Sequence, residues 1–283
     1  RRRAVDPCRP WVAVGDAGTI IRSTDLATWT ARTAGTGHRL LAVAWTGAQF
    51  VAVGESGTLL TSPDGMLWSA QVSGTTGHLR AVAGHAGLIV AGGDTGSLIT
   101  SADGVTWTPQ ALAGRTNGLV WTGTQFLAVG EFGAAGFGKT RATSFDGSTW
   151  TLQDGGYGNQ MLAAAWSGAE FVAVGTFGVS VTSSDGIAWV PGGEFSFPGN
   201  LHAVAWFQGR YIAVGSDGTL VSARQPVPVP ATLFDIESSG AQVIAVGALG
   251  TIRTSADGTS WLARPSGVVQ HLRGVSATGP RYV

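Results

Sequence analysis

The sequence predicts an all-β, seven-bladed β-propeller of four-stranded antiparallel blades, on the strength of three recurring phrases. The first is Ser-x-Asp-Gly-x-x-Trp, spelled Ser62-Pro63-Asp64-Gly65-Met66-Leu67-Trp68 and repeated at 101–107, 144–150, 183–189 and 255–261. A version without the Gly fills 23–29, and Ala223-Arg224-Gln225 stands where one further copy is due. The second phrase is an apolar run closed by Gly, as in Val51-Ala52-Val53-Gly54 and Leu127-Ala128-Val129-Gly130. The third is Leu-x-Ala-Val-x-Trp, of which Leu41-Ala42-Val43-Ala44-Trp45 and His202-Ala203-Val204-Ala205-Trp206 are the last five residues.

In order along each unit, strand A is the run that ends in Trp, and strand B is the Phe-Val-Ala-Val run. Strand C is the Gly-Thr-Leu-Leu-Thr-Ser type of segment, and strand D starts at the Trp of the first phrase. Each segment has four to seven residues, is rich in Val, Ile, Thr and Trp, and is bounded by Gly, Ser or Asp. No helical period is sustained. Strand B occurs seven times, and Val12 and Val283 lie 271 positions apart, about 39 for each of seven blades. The last strand A (272–275) has no B, C and D after it, and the first B, C and D (11–29) have no A before them. Joining the two completes a blade and removes an open sheet edge. The expected division is an N-terminal tail, 1–10, and one propeller domain, 11–283. Residues 280–283 duplicate the start of the first strand B. In blade 6, alternating prolines at 226, 228 and 230 predict a degenerate outer strand.

The bulk composition bounds the partners. Apolar residues make up 44% of the chain, enough for a sizeable core, and the 44 glycines follow no collagen-like period. Acidic and basic residues balance at 17 each, so no strong field draws the chain to nucleic acid. Sixteen of the bases are Arg and one is Lys139. Cys8 stands alone, so no internal disulfide forms. Arg1-Arg2-Arg3 is followed by no apolar segment of signal-peptide type, and no stretch reaches transmembrane length. Low Lys, abundant Gly, Ser and Thr, and a single Cys fit a periplasmic or extracellular location, since a mature exported chain would look the same.

The Ser-x-Asp-Gly phrase reads as turn chemistry. The carboxylate accepts backbone N–H groups of its own turn and the Ser hydroxyl assists, while the Gly supplies a left-handed backbone. Asp64, Asp103, Asp146, Asp185 and Asp257 are therefore expected to be structural. The phrases resemble those of Asp-box (also called BNR) propellers. Among these they resemble the seven-bladed photosystem assembly-factor-like family, whose members carry Val-Ala-Val-Gly, Gly-Thr and Ser-x-Asp-Gly-x-x-Trp. The resemblance covers nearly the whole chain and implies the propeller fold, an assembly role and an Arg-rich surface patch. No dense Arg cluster stands inside the repeats. Sialidases, glucan hydrolases and sorting receptors share the box, so it speaks to fold and not to function. Sialidases also need an Arg triad and a Tyr–Glu pair. The Arg-Ile-Pro phrase that usually carries the first Arg of that triad is absent here, and Tyr occurs only at 157, 211 and 282.

Propeller connectivity puts the A–B and C–D turns on one face and the B–C and D–A loops on the other. Three features fall on the second face. Asp16, Glu55, Asp94 and Glu131 directly follow the Gly of strand B in four consecutive blades, whereas Thr176, Ser216 and Ala248 take that place in the others. The acids can hold a cation such as calcium or meet a basic partner; equally, short turns favour polar residues. His38, His78, Asn117, Asn159, Asn200 and His271 precede strand A, as metal ligands or as hydrogen-bonding groups at the channel. Finally, Phe132, Phe137, Tyr157, Phe195 and Phe197 sit in enlarged Gly-rich loops, either as a binding patch or as anchors of those loops.

The reading that follows is a non-enzymatic protein-binding or assembly module of an exported protein, with no required cofactor. The alternative is a carbohydrate-binding propeller. A glycoside hydrolase stands third, with its acid pair drawn from Asp16, Glu55, Asp94, Glu131, Asp154 and Glu194.

Overall fold

The computed structural model describes residues 10–94, 96–132, 139–153, 159–192, 199–222, 225–226 and 231–278. These form seven four-stranded antiparallel sheets, each ordered A-B-C-D. Blade 1 takes strand A from the far end of the chain: Leu272–Ala277 pairs with Trp11–Gly15, followed by Ile20–Ser23 and Thr30–Arg32. Blade 2 is Leu40–Trp45, Phe50–Gly54, Leu59–Ser62 and Ser69–Ala70, and blade 3 is Leu79–His85, Leu88–Gly93, Leu98–Ser101 and Thr108–Gln110. Blade 4 is Gly114–Trp121, Phe126–Phe132, Lys139–Ser144 and Thr151–Gln153. Blade 5 is Met161–Trp166, Phe171–Gly175, Ser180–Ser183 and Val190–Pro191. Blade 6 is Leu201–Phe207, Arg210–Gly215, Leu220–Ser222 and Gln225–Pro226, and blade 7 is Leu233–Ser239, Gln242–Gly247, Ile252–Ser255 and Leu262–Arg264. The seven-bladed architecture and its closure are as the phrases predict. Blade 6 keeps an outer strand of two residues, the same length as in blades 2 and 5. Cys8, residues 227–230 and residues 280–283 lie outside the described residues.

Strand B is buried on both faces, which is why it reads as an unbroken apolar run. In blade 1, Val12 and Val14 pack on Leu40, Val43 and Phe50 of blade 2, while Trp11 and Ala13 pack on Ile244 and Val246 of blade 7. The core is therefore a ring of inter-blade clusters. At the A–B hairpins an aromatic pair closes each of four blades: Trp45–Phe50, Trp121–Phe126, Trp166–Phe171 and Trp206–Tyr211, with centroids 4.3–4.9 Å apart. Between blades 4 and 5, buried Arg141 lays its guanidinium 4.6 Å over the Trp189 ring.

The boxes behave as turn staples. In the Asp103 box the Val105 and Thr106 N–H groups donate to Asp103 Oδ1 at 2.8 Å, and the Gly104 N–H donates to Ser101 Oγ at 2.8 Å. Trp107 Nε1 closes the motif on the Gly104 carbonyl at 3.0 Å. Asp146, Asp185 and Asp257 repeat the double N–H contact, as does Asp25 in the version without Gly. Asp64 takes the Met66 N–H at 2.8 Å. Leu26 occupies the Gly position at φ 60° and is buried.

Backbone N–H donors hold the carboxyls of Asp25, Asp103, Asp146, Asp185 and Asp257 below their usual range. A carboxyl depressed in the folded state stabilises the fold fully above its unfolded pKa, about 3.9. That contribution disappears as pH falls through the lower folded value. The melting temperature is therefore expected to fall from pH 4 to pH 2, and to fall less in Asp146→Asn, which has no carboxylate to protonate there. Calorimetry across that range checks it, and parallel acid limbs would refute the account.

Candidate binding face

At the end of strand B in six of the blades the chain turns at once, and the residue preceding strand A meets that turn. The first turn N–H donates to its carbonyl: Asp16 to His271, Glu55 to Arg39, Asp94 to His78, Thr176 to Gln160, Ser216 to Asn200 and Ala248 to Thr232, at 2.9–3.0 Å. Blade 4 departs from this, because strand B runs on through Glu131 and Phe132 and pairs them with Arg115 and Gly114.

A β-bulge follows at once. Pairing of A with B skips one residue per blade: Leu41, Arg80, Asn117, Leu162, His202, Phe234 and Arg273. All seven line the axial channel, which encloses 250 Å³ at this mouth. Two rings must therefore be distinguished, one at the bulge and one just before strand A. The expected His/Asn ring mixes them. Asn117 is a bulge residue that donates to the Met161 carbonyl at 2.9 Å. His38 and Asn159 lie one position early, and Arg39 and Gln160 hold the places assigned to them. His78, Asn200 and His271 are in register, and each accepts the N–H of the turn tip of the preceding blade: Ser56 (3.0 Å), Phe177 (3.2 Å) and Leu249 (2.9 Å). Among the described residues no three of His, Cys, Asp and Glu gather as a metal site.

The acids do not form an open negative arc, because arginines in strand A or just before it meet three of them, and Gln160 meets the fourth. Arg273 binds Asp16 through Nε and Nη2 at 2.6 and 3.2 Å. Arg39 Nε donates to Glu55 Oε1 at 2.6 Å, and Arg80 Nε to Asp94 Oδ1 at 2.9 Å, with Arg115 Nε 3.7 Å from the same oxygen. Glu131 accepts from Gln160 of the next blade. Partial burial acts to raise the Asp16 and Asp94 carboxyls, and the arginine bonds overcome it and leave both below the usual range. The Arg39 hydrogen bond lowers Glu55. Four arginines thus stand at the mouth across blades 1 to 4, each beside an acid. They lie about one repeat apart in the sequence, or at opposite ends of it, so no cluster shows in the linear chain.

Blades 5 to 7 are different. Their turns open on Thr176, Ser216 and Ala248, and the rings of the bulge residues His202 and Phe234 meet at a tilt, with centroids 6.0 Å apart and planes inclined by 52°. Phe234 lies 6.0 Å from the His271 ring edge-on, and the Arg273 guanidinium sits 4.8 Å above the Phe234 ring. Burial pushes the His202 imidazole down. The tips of these three turns are Phe177, Asp217 and Leu249. They stand outside the recurring phrases, and the one signal that marks them in the sequence is the second position of each Gly-x-x-Gly turn.

Phe132 is no part of an exposed patch. It is 3% exposed and packs with Leu112, Leu119 and Phe126, inside the core at the end of strand B. Phe137, Tyr157, Phe195, Phe197, Asp154 and Glu194 lie outside the described residues.

No protein-family model and no curated protein matches the chain. Solved structures do. A structure of YCF48 bound to D1 peptide matches with a TM-score of 0.68 and 19% identity, over 87% of this chain and 87% of that one. YCF48 from Cyanidioschyzon merolae matches at 0.64 and 17%, over 85% and 89%. The computationally designed Ika8 protein matches at 0.64 and 14%, over 93% and 88%. At these identities the likeness is one of fold: the chain is a seven-bladed propeller that resembles YCF48 in structure.

Proposed function

We propose that this chain is a non-enzymatic protein-binding module of an exported protein, periplasmic or extracellular, that holds a peptide segment across the B–C and D–A face. The observation that carries the reading is the pairing of the mouth acids. A glycoside hydrolase needs a carboxylic acid whose pKa is raised enough to donate a proton, opposite a free carboxylate. Asp16, Glu55 and Asp94 are each held by arginine, with pKa values shifted down. Those ion pairs brace turns that face outward around the channel, an arrangement suited to presenting a surface. The YCF48 structure that shares the fold is bound to a peptide. Among the described residues no helix is long and apolar enough to cross a membrane, and the balanced charge gives nucleic acid no attraction.

The test is a random dodecamer phage library panned on the whole chain, beside a glycan array run with calcium and with chelator. Enriched peptides that bind the purified chain, with a silent glycan array, are the expected result. Saturable glycan binding without peptide enrichment would overturn the reading in favour of a lectin. Loss of that binding on chelation would return the acidic turns to metal chemistry.

A further inference from the structure

The turn tips of blades 5, 6 and 7 carry side chains that folding does not account for. Five B–C turns share one backbone shape, with the tip residue in the left-handed region: Ala17 at φ 54°, Ser56 at 52°, Phe177 at 57°, Asp217 at 54° and Leu249 at 53°. That region suits Gly, Asn or Asp, and a bulky residue there is an outlier. Blades 1 and 2 fill it with small residues. Blades 5 and 7 fill it with Phe and Leu, which are 75% and 72% exposed. Neither side chain gains by burial, and both strain the backbone. Strain of this kind persists where neighbours fix it and collects at ligand clamps. Here the neighbours are Asn200 and His271, whose side chains hold the Phe177 and Leu249 N–H groups.

Between the two apolar tips stands Asp217. It is exposed and has no hydrogen-bonding or ion-pair partner among the described residues. In this it differs from Asp16, Glu55 and Asp94, which arginines neutralise. The sector therefore displays apolar, carboxylate and apolar groups on three consecutive blades, with the rings of His202, Phe234 and His271 beside it at the mouth.

Resting on the peptide-binding reading above, we propose that Phe177, Asp217 and Leu249 form its docking site. The occupant is an extended peptide with a Lys or Arg flanked on both sides by apolar residues. The cation meets the unpaired Asp217 carboxylate, and the flanking side chains cover the two tips and remove them from water.

The test uses the dodecamers enriched on the parent chain, titrated by calorimetry against Phe177→Gly, Leu249→Gly, their double variant and Asp217→Asn. Glycine relieves the left-handed backbone, so each Gly variant is expected to melt no lower than the parent while binding weakens by about tenfold or more. That combination separates a contact residue from a structural one. Asp217→Asn is expected to erase the preference for a Lys-containing peptide over its norleucine analogue. Parental affinity in the double variant would overturn this site while leaving the peptide-binding reading intact. So would enriched peptides that carry no basic residue. Failure to enrich any peptide on the parent would sink both.

Discussion

Alanine in place of Gly54 is expected to destabilise the chain by about 3 kcal/mol or more, at or beyond the upper end of overpacking costs. The reason is contact and not conformation. Gly54 lies at φ −166° and ψ −156°, extended backbone open to any residue. An added Cβ would fall inside the carbonyl oxygen of Arg39, with Leu40 Cα 3.0 Å away. That carbonyl accepts the Glu55 N–H at 2.9 Å. The methyl group must push Arg39 and the start of strand A away from strand B, so the variant loses this bond and disturbs the Arg39–Glu55 pair above it. The equivalent backbone oxygen of each blade crowds Gly15, Gly93, Gly130, Gly175, Gly215 and Gly247, which explains why all seven apolar runs end in Gly. Gly47 is the control. It sits at φ 93° with no atom within 4 Å of an added Cβ, so Gly47→Ala carries only the left-handed penalty, about 1–2 kcal/mol. Denaturant unfolding of both variants decides the point. If Gly54→Ala costs no more than Gly47→Ala, the steric account of the repeat is wrong.

What the sequence made readable follows from that crowding. Positions that touch a neighbouring blade or close a turn admit few residues, so Val-Ala-Val-Gly, the box Asp and the hairpin Trp recur and reveal both the blade count and the closure. Side chains that face solvent or the channel escape this constraint, and there the reading was less successful. The bulge in strand A adds one residue without changing the look of the phrase, so the residue that enters the channel and the one that meets the turn were confused by a single position. The pairing of Asp16 with Arg273 joins the two ends of the chain, and Arg80 and Arg115 reach Asp94 from two different blades; linear spacing carries no trace of either. Phe132 looked like a loop aromatic because strand B outruns its usual Gly in blade 4 and takes it into the core. The x of Leu-x-Ala-Val and the tip of Gly-x-x-Gly were the informative variables. They vary because the fold leaves them to whatever the mouth must contact.

Removing the chain from His271 onward is expected to abolish cooperative folding, a loss on the order of the whole stability of a domain, about 5–15 kcal/mol. In an open array, a terminal strand contacts one neighbour and its deletion frays one end. Here Leu272–Ala277 is the innermost strand of blade 1 and binds three partners. It pairs with Trp11–Gly15 along its length. The Val275 N–H donates to Asp235 of blade 7 at 2.8 Å, and Ser276 Oγ accepts the Trp45 N–H of blade 2 at 3.0 Å. Leu272 and Val275 are buried among Trp11, Ile21, Ile244 and Ile252. Without the strand, blade 1 presents a bare inner edge to the channel, and blades 2 and 7 lose the surface that joins them. The loss falls on the ring and not on one end. Denaturant titration followed by tryptophan fluorescence, with hydrogen exchange blade by blade, measures it. The truncated chain should lose protection in blades 2 and 7 as well as blade 1, and a synthetic peptide of residues 270–278 added in trans should restore it. A truncated chain that keeps the parental midpoint, with exchange confined to blade 1, would mean that the seven blades stand as a linear stack whose ends merely touch.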